Sequence, residues 1–229
     1  MNKIILALDT ANLEDALNIY KKIKDKIFTI KIGLELWNSF GKEGIKKFNQ
    51  MGSANLMLDL KLKDIPKTVY KAIRALDDIS CGFITVHGQG GKEMVREAKR
   101  AASEIKSKPN IMMVTTLTSL NDSDLIDMGS NITVIRQVEK LAKIAKETKV
   151  GVVCSGHEAK IVRKTIGPDL LIFTPGIRLK NNDKDDQKRI CTPSESIKNG
   201  ADKIIMGRSL IKGDIEENFN KVSNSLKSV

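Results

Sequence analysis

The segment Asn55-Leu-Met-Leu-Asp59-Leu-Lys61-Leu-Lys-Asp64-Ile-Pro66 alternates leucine with charge. Side chains along a strand point to opposite faces in turn. Leu56, Leu58, Leu60 and Leu62 therefore share one face, and Met57, Asp59 and Lys61 share the other. Asp9 ends an earlier apolar run and Lys31 lies within another. Placed side by side, two carboxylates and two ammonium groups make an alternating, nearly neutral network. Charges facing a protein interior are tolerated when they are paired. A lysine held in such a network, away from water, supplies both a proton and a fixed positive field. The competing reading is an edge strand whose charges are simply solvated. Asp64 stands just before Ile65 and Pro66, so it reads equally well as a helix-start carboxylate or as a reacting group.

A second set of residues suits an anion. Lys203-Ile-Ile-Met-Gly207-Arg208-Ser reads as a strand running into a Gly-Arg turn. Glycine allows a ligand to approach the backbone, and arginine binds phosphate oxygens in bidentate fashion. Thr174-Pro175-Gly-Ile-Arg178 forms a rigid turn upstream, followed by the polar stretch Leu179 to Arg189, which contains Gln187. That stretch is either a surface loop or a lid that carries Arg178 and Gln187 toward the same anion.

These groups need a scaffold. Short β-branched runs fall at Lys3–Asp9, Phe28–Leu34, Asn55–Leu62, Phe83–Gly88, Ile111–Ser119, Val150–Ser155, Leu170–Gly176 and Lys203–Gly207. Between or after them lie helical patterns at Leu13–Ile23, Lys67–Asp78, Lys92–Ile105, Val134–Thr148, Glu158–Ile166 and Ile215–Leu226. Eight strand-then-helix units without a linker predict one (β/α)8 TIM barrel domain over residues 1–229. An open doubly wound sheet is the runner-up, and the first strand lacks the G-x-G-x-x-G turn of its dinucleotide-binding form. In a barrel, the charged cluster falls at the C-terminal mouth. The Gly-Arg turn follows the eighth strand, where barrels commonly hold phosphate.

Composition narrows the class. With 41% hydrophobic and 29% charged residues the chain reads as an ordinary globular protein. The net charge of +11 is spread along the chain rather than gathered in a basic arm, which disfavours nucleic acid as the partner. Cys81, Cys154 and Cys191 have neither disulfide nor metal spacing, which fits a reducing cytoplasm. The start, Met-Asn-Lys before an apolar strand, lacks a signal-peptide pattern, and no apolar run reaches the ~20 residues of a membrane span. His87 and His157 are left without a chemical role.

Taken together, these residues resemble the orotidine 5′-phosphate decarboxylase family. The matching blocks run almost end to end: Ala7-Leu-Asp9, Lys31-Ile-Gly33, Asp59-Leu-Lys-Leu-Lys-Asp-Ile-Pro-Lys-Thr68, Val86-His87, Leu117-Thr-Ser119, Thr174-Pro-Gly-Ile-Arg178, Asp186-Gln187 and Gly207-Arg208. The third block is shared with a wider superfamily, whereas the Thr174–Arg178, Asp186-Gln187 and Gly207-Arg208 blocks make the match specific. Lys63, where bacterial members often carry His, and Ser209 depart from the pattern.

The resemblance implies a homodimeric barrel, with neither metal nor organic cofactor, that converts orotidine 5′-phosphate to UMP and CO2. It implies that Lys61 protonates C6 of the pyrimidine, that Asp59 lies beside the departing carboxylate, and that Lys31 holds the pair and contacts ribose. Asp64 and Thr68 would be lent across the dimer interface, with Ile65 between them. Asp9 would bind a ribose hydroxyl, Thr118 the pyrimidine, and Arg178, Gln187, Gly207 and Arg208 the phosphate, while Ile65 and Pro175 would also contact the substrate. Two alternatives stay open: a metal-dependent relative acting on a sugar phosphate, and a barrel that binds nucleotide or RNA without turnover.

Overall fold

The computed structural model describes residues 2–52, 55–179 and 191–227. The chain alternates β1 (Ile4–Leu8), α1 (Leu13–Ile23), β2 (Thr29–Ile32), α2 (Leu34–Gln50), β3 (Leu56–Leu62), α3 (Pro66–Arg74), β4 (Cys81–His87) and α4 (Lys92–Glu104). It continues through β5 (Asn110–Val114), α5 (Asp122–Asp127), α6 (Val134–Thr148), β6 (Gly151–Val153), α7 (Ala159–Ile166) and β7 (Ile172–Thr174). It ends with α8 (Pro193–Lys198), β8 (Lys203–Met206), α9 (Arg208–Ile211) and α10 (Ile215–Leu226). The strands pair in parallel in sequence order and β8 returns to β1, closing the barrel. The closed sheet excludes the open doubly wound arrangement.

Two apolar layers hold it together. Ile5, Ala7, Met57, Phe83, Met112, Val114, Val153, Phe173 and Ile205 fill the barrel interior. The other strand face, with Leu6, Leu56, Leu58 and Ile84 among its residues, packs on the helices. The alternation expected for β3 is therefore realised, with Met57 inside and Leu56 and Leu58 outside. At the N-terminal end of the strands Phe28, Phe83 and Phe173 pack with ring centroids 5.0 to 6.5 Å apart. Lys203 crosses this end, its Nζ 4.1 Å from the centre of the Phe28 ring and donating to the Asn2 carbonyl at 2.7 Å. The interior is thus sealed at one end and polar at the other.

Several boundaries differ from the sequence reading. β5 stops at Val114 rather than Ser119, because its neighbour β6 ends at Val153; the Thr115 N–H makes a last bond to the Val153 carbonyl. Thr115 to Ser119 therefore leave the sheet as a loop. No helix is singled out above for Leu34–Gln50, yet α2 fills it. Two glycines interrupt its pattern, and the helix bends at Gly41, where φ is +54°. The expectation for Gln187 and the Asp186-Gln187 block lies outside the described residues. Among the described residues no helix is long and apolar enough to cross a membrane.

Candidate active site

β3 and β4 pair irregularly at the mouth of the barrel. Leu58 pairs with Ile84 and Leu62 with Val86, so four steps along β3 match two along β4. The surplus is a bulge containing Asp59, Leu60 and Lys61, a device that re-aims side chains. Lys61 has φ +47°, one of three non-glycine residues with positive φ among the described residues. A left-handed lysine is an uncommon conformation that costs roughly 1–2 kcal/mol, and such residues gather at functional sites.

The bulge brings the expected charges together. Both the Lys61 ammonium, at 2.8 Å, and the Lys31 ammonium, at 3.0 Å, lie against Oδ2 of Asp59. Lys31 also reaches Asp9 Oδ1 at 3.5 Å, completing the chain Asp9–Lys31–Asp59–Lys61. The Asp59 and Lys31 side chains are only 9% and 12% exposed, whereas Lys61 at 35% reaches the open space above. Burial works against the charged form of Asp59, but Lys31 and Lys61 outweigh it and hold the carboxyl at about 2. Burial likewise opposes the Lys31 ammonium, and Asp59 with Asp9 more than compensates, leaving its pKa above the ordinary lysine value. Both shifts favour the charged forms of Asp59 and Lys31 at neutral pH. Gly33 makes room for it: a Cβ there would lie 3.3 Å from Asp9 Oδ1 and 3.4 Å from Lys31 Nζ.

The charges open into a cavity of about 230 Å³ at the C-terminal mouth. Asp9, Lys31, Asp59 and Lys61 line one wall; Thr118, Pro175, Arg178, Gly207 and Arg208 line the remainder with the loop after β5 and Val153-Cys154. Gly176, with φ +72°, turns the chain after β7, and the Arg178 N–H donates to the Cys191 carbonyl at 3.0 Å. Ser209 Oγ donates to the Ile177 carbonyl at 3.3 Å and so ties the β8 loop to the β7 loop. A Cβ on Gly207 would stand 3.3 Å from Ala7 Cβ and 3.4 Å from Asp9 Oδ2, so glycine is what lets this turn lie against β1. Arg178 is buried and Arg208 exposed, both bordering the same cavity.

Asp64, Ile65 and Thr68 stand apart from the cavity wall. All three are exposed at the start of α3, where Ile65 is the cap, Pro66 opens the helix, and the Ile65 N–H donates to Asp64 Oδ1 at 2.7 Å. Two residues without an assigned role in the sequence reading do approach the charges. The Thr85 hydroxyl, on β4, bonds both Asp59 and Lys61. His87, two residues on, is buried and has its pKa lowered by desolvation, then by Lys63 and Lys61. The period of two along Phe83, Thr85 and His87 was the available signal. Among the described residues no three His, Cys, Asp or Glu side chains gather as a metal site.

Residues 2–218 match the family model described as the orotidine 5′-phosphate decarboxylase / HUMPS family. The chain belongs to the orotidine 5′-phosphate decarboxylase / HUMPS family. A relative from Buchnera aphidicola subsp. Acyrthosiphon pisum (strain Tuc7), named orotidine 5′-phosphate decarboxylase, is 38% identical over 211 residues, covering 92% of this chain and 89% of its own. One of the same name from Wolbachia pipientis subsp. Culex pipiens is 41% identical over 211 residues, 92% of each chain. The crystal structure of orotidine 5′-phosphate decarboxylase from Lactobacillus acidophilus superposes with a TM-score of 0.85 at 33% identity, covering 99% of both chains. The barrel and the family therefore agree with the resemblance read from the motifs, and membership in the orotidine 5′-phosphate decarboxylase / HUMPS family extends over nearly the whole chain.

Proposed function

We propose that this chain is a single-domain carboxy-lyase that converts orotidine 5′-phosphate to UMP and CO2, a step of pyrimidine biosynthesis, without metal or organic cofactor. The observation that carries this reading is the salt-bridged Asp9–Lys31–Asp59–Lys61 chain facing the mouth cavity in a member of this family. Loss of CO2 leaves electron density at C6 of the pyrimidine, with no neighbouring carbonyl to spread it. The Lys61 ammonium, partly exposed and aimed from the bulge, stabilises that charge and then delivers its proton to C6. Asp59, kept ionised by its two lysines, faces the carboxylate that departs, and Lys31 holds Asp59 and Asp9 in place for the ribose. Thr118 serves the pyrimidine, Arg178, Gln187, Gly207 and Arg208 serve the phosphate, and Pro175 contacts the substrate. Phosphate binding is remote from the reacting bond, so its energy is available to orient the ring.

The reading includes a homodimer. Asp64, Ile65 and Thr68 lie exposed at the start of α3, the helix that follows the strand carrying Asp59 and Lys61, and Ile65 is 67% exposed. A second copy covering this edge would bury Ile65 and supply Asp64 and Thr68 to the neighbouring mouth. The proposed place of work is the cytoplasm, consistent with three buried free cysteines.

The test is the ultraviolet absorbance change on adding orotidine 5′-phosphate to purified protein in EDTA, beside Lys61→Ala. Turnover should persist in EDTA and fall at least about 100-fold in the variant, the ordinary scale of a lost general acid. Folded protein that is inactive on this substrate but turns over a sugar phosphate with Mg2+ would overturn the proposal in favour of a metal-dependent relative.

A further inference from the structure

Thr85 lies on β4 beneath the charged chain and is fully buried. Its hydroxyl makes two bonds to one functional unit: it accepts the Lys61 backbone N–H at 2.8 Å and donates to Asp59 Oδ1 at 2.9 Å. The direction of both bonds follows from chemistry. An amide N–H can only donate and an ionised carboxylate can only accept, so the single hydroxyl proton is committed to Asp59. The two oxygens of Asp59 are thereby divided, Oδ2 taking both lysine ammoniums and Oδ1 taking Thr85.

The bond to Lys61 matters for a second reason. The bulge between Leu58 and Leu62 interrupts the β3–β4 ladder where Lys61 turns to positive φ. An unpaired backbone N–H in a half-buried strand end is costly, and the hydroxyl supplies the acceptor that the ladder does not. One side chain thus fixes both the backbone from which the Lys61 ammonium projects and the rotation of the carboxylate it meets.

We propose that Thr85 is a positioning residue for the decarboxylation, its hydroxyl locking the Lys61 bulge and the Asp59 carboxylate into one geometry. The proposal deepens the functional reading above and rests on it. Near-attack placement is sensitive to shifts of about 1 Å, which can cost about 100-fold in rate.

The test compares Thr85→Val, which keeps the shape and removes the hydroxyl, with Thr85→Ser, which keeps the hydroxyl. In T85V, kcat should fall about 10- to 100-fold while KM stays within about 3-fold. T85S should recover kcat to within about 3-fold of the unmodified protein. Amide hydrogen exchange supplies a readout that does not depend on turnover. The Lys61 amide should exchange at least about 10-fold faster in T85V and not in T85S, while the Leu58 amide keeps its rate. Unchanged kcat per folded site in T85V, or unchanged Lys61 exchange, would overturn the proposal. If the unmodified protein does not act on orotidine 5′-phosphate, the functional reading fails, and the exchange comparison still decides whether Thr85 holds the bulge.

Discussion

Asp59 is the residue on which the site turns, because two ammonium groups and a hydroxyl converge on it. Its folded pKa of about 2 lies below the ordinary 3.8. Its contribution to stability is therefore present above 3.8 and lost as pH falls through about 2, with a size on the order of 2 kcal/mol. The difference in unfolding free energy between the unmodified protein and Asp59→Asn, from urea titrations between pH 6 and pH 2, should shrink across that window. A difference constant with pH would mean that the lysines do not hold the carboxylate. His87 shifts for another reason, since burial, then Lys63 and Lys61, all disfavour its imidazolium. An NMR titration of its ring protons should show a midpoint below the usual 6.5. Arg208 borders the cavity from its exposed side, far along the chain from Lys61. Arg208→Ala should raise KM at least about 10-fold with a smaller effect on kcat, as expected for lost phosphate binding. A large fall in kcat at unchanged KM would assign it another role.

The elements matter through where they stop and where they bend. β3 carries Asp59 and Lys61 through a bulge that departs from regular pairing with β4. β8 delivers Gly207 against β1 so closely that an added methyl would meet Ala7 and Asp9. Gly207→Ala should accordingly destabilise the fold by about 1–3 kcal/mol in urea unfolding, the scale of overpacking, and should raise KM by moving the Arg208 turn. An unchanged midpoint and unchanged KM would show that the β8 turn has slack. The short reach of β6 has a parallel effect, releasing Thr115 to Ser119 from the sheet so that Thr118 reaches the cavity.

For the molecule as a whole, the closed barrel packs phenylalanines at one end and opens its charged cavity at the other. Ile65, Ile126 and Met128 are more than half exposed. In the proposed homodimer the face bearing Ile65 is covered, and Ile65→Lys should shift sedimentation from dimer toward monomer and reduce activity most at low protein concentration. A monomeric unmodified protein with full activity would remove the dimer and, with it, the shared roles of Asp64 and Thr68.

Much of this architecture was legible from period and spacing alone. The leucine alternation in β3 could be satisfied only with Met57, Asp59 and Lys61 on the other face, because a strand has a period of two. Eight strand-like runs separated by helix-length patterns left a closed parallel barrel as the economical way to bury every strand. The motif residues then indicated the chemistry through their family resemblance. What only the tertiary structure decided concerns partners distant in the chain. The bulge at Lys61 exists relative to β4, the end of β5 is set by β6, and Thr85 acquires its two bonds because the closed sheet brings it under Asp59. Local sequence specifies which residues prefer a strand and which side they face. The neighbouring strand specifies where that strand ends and which hydroxyl meets which charge.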